Sequence, residues 1–231
     1  MSSTINTNQS IGDIVTKLPK ASSVFKKYKI DFCCGGNRPL IEAIREQEIN
    51  EDVLLQELET AYEDSKSLSS IKDFTIMSKN QLIDYIVDTH HVFVRQILPE
   101  LSEFTTKIMQ VHGMNHRELF TVHKLFHNLK TELEQHLIKE EDLLFPLIKK
   151  YEQESSEDLL GQIQEVMQET EDEHDAAGDI IKELRTITND YTLPEDACTT
   201  YFLSYEKLKA LESDLFEHIH LENNILFKEF E

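Results

Sequence analysis

The chain predicts an all-α fold, an up-down-up-down four-helix bundle preceded by a small helical N-terminal domain. Helix breakers are scarce in its 231 residues, with 6 Gly and 5 Pro, and Leu, Glu, Ile and Lys abound. Four long segments in the later part repeat apolar residues at steps of three and four, joined by short connections that favour antiparallel neighbours. A hydrophobic fraction of 39% is enough for a core.

Residues 1–63 read as a small domain of short helices. Pro39 fits the first position of a helix over "PLIEAIREQ", and Asn50 can cap "EDVLLQELETAY". Between them and the N-terminus lies "FCCGGN", a turn by its glycines. Residues 64–78 lose periodicity, gather serines and read as a linker. The bundle spans 79–231. Its first helix opens at Ser78, with Gln81 placed to complete a capping box, and ends near Gly113. The second runs from Asn115 to Tyr151 and the third from Ser156 to Asp190. The fourth opens at "TLPE", Thr192 to Glu195, which puts Cys198 in its first turn as packing filler. Pro99 and Pro146 are expected to kink or end their helices locally.

Charge and cysteine usage exclude several classes. The net charge of -21 disfavours nucleic acid and anionic membranes as partners. Residues 1–60 carry only -2 of it, so the acidity belongs to the larger C-terminal part. The polar start "MSSTINTNQS" has no apolar signal core, and no apolar run approaches a membrane span. Three cysteines, two of them adjacent, do not make a disulfide framework, so the expected location is a reducing cytoplasm.

Within the bundle, the core seams are interrupted by ionisable residues. The second helix reads Val122, Phe126, Leu129, Leu133, His136, Glu140, Leu143, Leu147 along its seam. The fourth reads Leu208, Leu211, Leu215, His218, Glu222, Ile225. Each His-x-x-x-Glu pair thus occupies two consecutive core positions, within the near-repeat "HLIKEEDLLF" and "HIHLENNILF". The third helix places His174 between Thr170 and Ala177 on its seam. In the first helix two registers compete, one through Val87, His90 and Val94, the other through Val87, His91 and Val94, and spacing leaves both open.

Chance alone gives roughly 1.3 His-x-x-x-Glu pairs at this composition, so the pairs matter through their placement on seams. A buried unpaired carboxylate is prohibitive, and two Glu with four His would make a poor core. They make a good metal site, because residues four apart share a helix face and an ion supplies the charge the carboxylates need. Imidazole with carboxylate points to iron or manganese at a dinuclear site, and the lack of thiolate disfavours closed zinc. His112/His116 and His123/His127 share the spacing, but the first pair straddles the Gly113 turn and the second lies off the seam. His220 falls between ligand phases and is expected in solvent.

Cys33 and Cys34 adjoin Gly35 and Gly36. Neighbouring cysteines rarely bond to each other, because the intervening peptide would be strained. Such thiols can pack, bind a soft metal, hold a cluster edge or undergo redox exchange.

The stretch "LPKASSVFKKYKIDFCCGGNRPLIEA", followed by a four-helix part with His136-x-x-x-Glu140, His174 and His218-x-x-x-Glu222, resembles the iron–sulfur cluster repair di-iron proteins. These are hemerythrin-like proteins with an N-terminal Cys-Cys domain. The resemblance covers nearly the whole chain. It implies a carboxylate-bridged centre of two non-haem irons that supports repair of clusters damaged by oxidative or nitrosative stress. It carries the metal-ligand role to His136, Glu140, His174, His218 and Glu222. Through the pattern "HHVFVRQILPEL" it also favours His91, with His90 as runner-up. It makes Cys33 and Cys34 candidate transfer or redox thiols, and a His at the position of His112 recurs near the family's site. Damaged iron–sulfur proteins are the implied partners, with a homodimer also expected. The role is that of an iron donor more than a classical enzyme. Competing classes are an oxygen or nitric-oxide sensor or carrier, and a nitric-oxide or peroxide reductase. The vicinal thiols discriminate, since a carrier has no use for them.

Overall fold

The computed structural model describes residues 5–66 and 73–230, and the protein is all-α. Among these residues no strand forms, and Ser10 and Pro39 make a single isolated antiparallel bridge. Two compact units appear: Met1–Leu82 with Phe216–Glu231, and Ile83–Leu215. No helix among the described residues is long and apolar enough to cross a membrane.

In the first unit, α1 (Ile11–Lys17), α2 (Ala21–Lys27), α3 (Leu40–Glu46) and α4 (Glu51–Lys66) bury Ile11, Ile14, Phe25, Leu40, Leu54 and Leu58. The caps follow from the sequence. The Ser10 hydroxyl accepts the Asp13 N–H at 3.1 Å, and Asn50 accepts the Val53 N–H at 3.1 Å. Pro39, expected at the first helical position, instead precedes α3 in extended conformation and makes no side-chain cap. The helix α4 continues to Lys66, and residues 67–72 of the expected linker lie outside the described residues.

The four-helix bundle is hemerythrin-like and runs up-down-up-down. Its first helix joins α5 (Lys79–Ile86) to α6 (Val92–His112) through a π turn at Val87–His91. The second joins α7 (Glu118–Lys139) to α8 (Phe145–Gln153) through a π turn at Glu140–Leu144. The third is α9 (Glu157–Ile187), without interruption. The fourth is α10 (Thr199–Leu221), continued by a π turn at Glu222–Leu226. The Ser78 capping box forms in both directions, Gln81 N–H to Ser78 at 3.2 Å and Ser78 N–H to Gln81 at 3.0 Å.

Three expectations change. The fourth helix begins at Thr199, not at Thr192, so Cys198 precedes it. Asn189, Asp190 and Tyr191 take left-handed conformations, with φ of 48°, 55° and 56°. The Thr188 hydroxyl accepts the Tyr191 N–H, and the buried Tyr191 ring donates its hydroxyl to Glu212 at 2.9 Å. These contacts hold the chain off helical geometry beyond Tyr191. Second, Pro99 lies inside α6 without ending it, and Pro146 follows the π turn in the first turn of α8. Third, the seams slip by one residue. The structure buries Leu144 and Ile148 where Leu143 and Leu147 were expected, and Leu226 in place of Ile225. A π turn closes i to i+5 rather than i to i+4, so it inserts one residue and advances the buried face.

Candidate metal centre

Each of the three π turns holds one of the six candidate ligands. Glu140 and Glu222 each open one, and His91 closes another. His91, His136, Glu140, His174, His218 and Glu222 are all buried, with Glu140, Glu222 and His91 at 0% exposure. The same insertion explains why spacing could not separate His90 from His91. His90 continues the register of Ile83 and Ile86, and His91 starts that of Val94, Leu98 and Leu101. Both are buried, but toward different partners. His90 Nδ1 lies 2.9 Å from Asp214, whereas His91 Nε2 lies 3.3 Å from Glu140.

Within Ile83–Leu215, Glu140 lies between two imidazoles. Its Oε2 is 3.3 Å from His91 Nε2 and 3.3 Å from His136 Nε2, yet neither carboxylate oxygen has a hydrogen-bond partner. Ligand atoms of His136, Glu140 and His174 lie within 4.8 Å of one another. His174 Nε2 faces His136 Nε2 at 3.2 Å. At the C-terminal end of the fourth helix, His218 Nε2 stands 3.0 Å from Glu222 Oε1.

Carboxylates behind the imidazoles set their tautomers. His91 donates from Nδ1 to Glu141 at 2.7 Å, and Arg95 holds the same carboxylate at 2.8 Å. His136 donates from Nδ1 to Glu173 at 2.8 Å, with Lys139 on the other oxygen at 2.6 Å. Burial works to raise the Glu173 pKa, but the hydrogen bonds from His136 and Lys139 outweigh it and hold the group at about 2. An Nδ1–H committed to a carboxylate makes Nε2 the lone-pair side of the ring, the usual arrangement behind metal-bound histidines.

These observations fit a metal. Two Nε2 lone pairs facing at 3.2 Å repel one another unless a cation or proton lies between them. A separation near 3 Å is what two donors on one ion require when each bond is about 2.1 Å. A fully buried carboxylate with no hydrogen bond costs several kcal/mol, about what a cation would offset. The sequence did not reveal Glu141, Glu173 or Asp214, because nothing in the periodicity marks a half-exposed carboxylate as a histidine's anchor.

Other candidates lie elsewhere. His112 Nε2 meets the Cys198 thiol at 3.2 Å, and His116 Nε2 meets Asp196 at 2.8 Å. The His123 and His127 rings lie 4.2 Å apart, with His123 against Thr106. His220 is buried, not solvated: its ring meets Phe32 edge-on at 5.8 Å, and burial lowers its pKa to about 4.

The vicinal cysteines are reduced; Cys33 is buried and Cys34 half-buried, with sulfurs 3.9 Å apart. Asp31 organises their turn, its Oδ1 accepting from the Cys33 N–H at 3.2 Å, the Gly35 N–H at 3.1 Å and the Cys33 thiol at 3.2 Å. The Cys34 hydrogen-bond partner, burial and the Asp31 charge push the Cys33 thiol pKa up. Cys34–Asn37 form a short 3-10 turn without positive φ. Its glycines therefore serve close approach rather than backbone conformation.

A bundle with buried His and Glu on these seams is a hemerythrin-type cation-binding domain. Residues 82–230 match the family described as "Hemerythrin HHE cation binding domain", and residues 7–62 match "Domain of Unknown function (DUF542)". The chain is 32% identical over 225 residues to the iron-sulfur cluster repair protein ScdA of Staphylococcus haemolyticus, covering 97% of this chain and 99% of the relative. It is 37% identical over 220 residues to the iron-sulfur cluster repair protein YtfE of Escherichia coli O81, covering 95% of each. The YtfE protein of Escherichia fergusonii gives the same identity and coverage. The chain belongs to this family, the hemerythrin-like iron–sulfur cluster repair proteins.

Proposed function

We propose that this chain is a di-iron protein that supports repair of iron–sulfur clusters damaged by oxidative or nitrosative stress, and that it does so by donating iron. Its working parts are a Cys-Cys domain (1–63), a linker (64–78) and the di-iron bundle (79–231). The residues that would hold the irons are His91, His136, Glu140, His174, His218 and Glu222, the ionisable residues of the core seams. The observation that carries this reading is Glu140, buried between His91 and His136 with no hydrogen bond to either oxygen. A buried carboxylate without hydrogen bonds is costly, and a cation held there would offset that cost.

When bound, a carboxylate-bridged iron pair supplies exchangeable iron and one-electron chemistry. The chain's own residues hold it. Glu141 and Glu173 fix His91 and His136 as Nε2 ligands. The soft thiols of Cys33 and Cys34 suit an incoming iron or a damaged cluster edge. Neither forms a disulfide, so both thiols are available to a soft metal.

The test is to incubate the iron-loaded full chain with a cluster enzyme inactivated by nitric oxide and to follow recovery of that enzyme. Recovery should require iron, and Cys33→Ser/Cys34→Ser should slow it while leaving the iron content unchanged. No recovery with the loaded wild-type chain would overturn the repair reading in favour of a gas carrier. Wild-type recovery by the double variant would remove the thiols from the mechanism.

A further inference from the structure

The segment 218–227 holds a buried polar side chain that the centre does not use. Asn224 lies two residues after Glu222 in the same π turn and is only 5% exposed. Its Nδ2 donates to the Cys33 carbonyl at 3.0 Å, with the Phe32 carbonyl at 3.4 Å. Its amide oxygen occupies the space that side chains at Gly12 and Gly36 would take. A Cβ at Gly12 would meet Oδ1 at 2.2 Å, and one at Gly36 would meet it at 2.5 Å. Neither glycine has positive φ, so their small size, not their backbone freedom, is what the site uses.

We propose that Asn224 is a positioning residue that couples the Cys33–Cys34 turn to the Glu222 turn. The proposal rests on the reading of Glu222 as an iron ligand. A buried amide that satisfies a backbone carbonyl is costly to displace. With glycines on two sides it also has no room to move. A shift of the 222–226 turn when iron is taken up or released therefore moves the Cys33 carbonyl with it. A displaced Cys-Cys turn acts back on Glu222 by the same contact, since coupling between sites is reciprocal.

The test uses the full chain in a Cys198→Ser background, so that only Cys33 and Cys34 report. Alkylation of the thiols by a maleimide is timed in iron-free protein and after loading with ferrous iron, alongside iron content. In the wild-type background, loading should change the rate about fivefold or more, the low end of inter-site couplings. In Asn224→Ala the change should shrink to below about twofold, with iron still bound. Gly36→Ala, which keeps the amide but displaces it, should also lose the response. In the iron-free protein the Gly36→Ala effect on rate should largely vanish in an Asn224→Ala background, because the two substitutions share one contact. If Asn224→Ala loses its iron, Gly36→Ala is read in its place. Wild-type protein that binds iron without a thiol response, or an equal response in both variants, overturns the coupling. Wild-type protein that binds no iron overturns the metal reading, and the coupling falls with it.

Discussion

The segments 136–145 and 218–227 share one local pattern in different surroundings. His136 and His218, Glu140 and Glu222, Leu144 and Leu226, and Phe145 and Phe227 are buried in both. Each Glu opens a π turn. The intervening positions diverge. Ile138 is 57% exposed where His220 is buried, and Asp142 is exposed where Asn224 is buried. The shared positions are the proposed ligands and the core residues beneath them. The divergent ones follow what each outer face meets: solvent in the first segment, the Phe32–Cys33 backbone in the second.

The comparison breaks first at the ligands. Glu140→Ala and Glu222→Ala should each take the chain from about two irons to fewer than one, and His220→Gln should not. His91→Ala should disturb the iron absorption spectrum strongly and His90→Ala weakly. Equal losses at His220, or a reversed order of His90 and His91, would show that the wrong faces were chosen.

The π turns make the next largest prediction. Leu144→Ala and Leu226→Ala should cost about 2–5 kcal/mol in denaturant unfolding, the range for a buried leucine. Leu143→Ala, one residue away and 44% exposed, should cost less than about 0.5 kcal/mol. Similar costs at Leu143 and Leu144 would restore an uninterrupted α-helical register.

Smaller effects should sharpen the first segment. Glu173→Gln and Glu141→Gln keep shape but weaken the hold on the His136 and His91 Nδ1–H, and should lower iron affinity about 10–100-fold in a competition titration. Lys139→Gln acts on Glu173 from a partly exposed position, and its effect should stay below about threefold. A Lys139 effect as large as that of Glu173 would mean that surface charge, not imidazole orientation, sets the affinity.

Much of this was legible in the sequence because burial of ionisable residues violates the pattern around them. His136, Glu140, His174, His218 and Glu222 stand out on seams that are otherwise apolar. The π turns were not legible, since an inserted residue has no compositional signature. Their trace was the shared Leu-Phe of the near-repeat, Leu144–Phe145 and Leu226–Phe227, which lies one residue off the expected seam. The start of the fourth helix was missed because three left-handed residues, held by Thr188 and Glu212, override a good local capping sequence. Asn224 stood within the quoted repeat, but its role depends on Gly12 and Gly36, some two hundred residues away, and no local pattern reports such a contact.

The central proposal is that the chain holds two irons on its seam His and Glu residues, and metal content of the full chain tests it most directly. Elemental analysis of the purified, reconstituted protein should give about two irons per chain and no stoichiometric zinc. A single iron, or one zinc per chain in its place, would contradict the account.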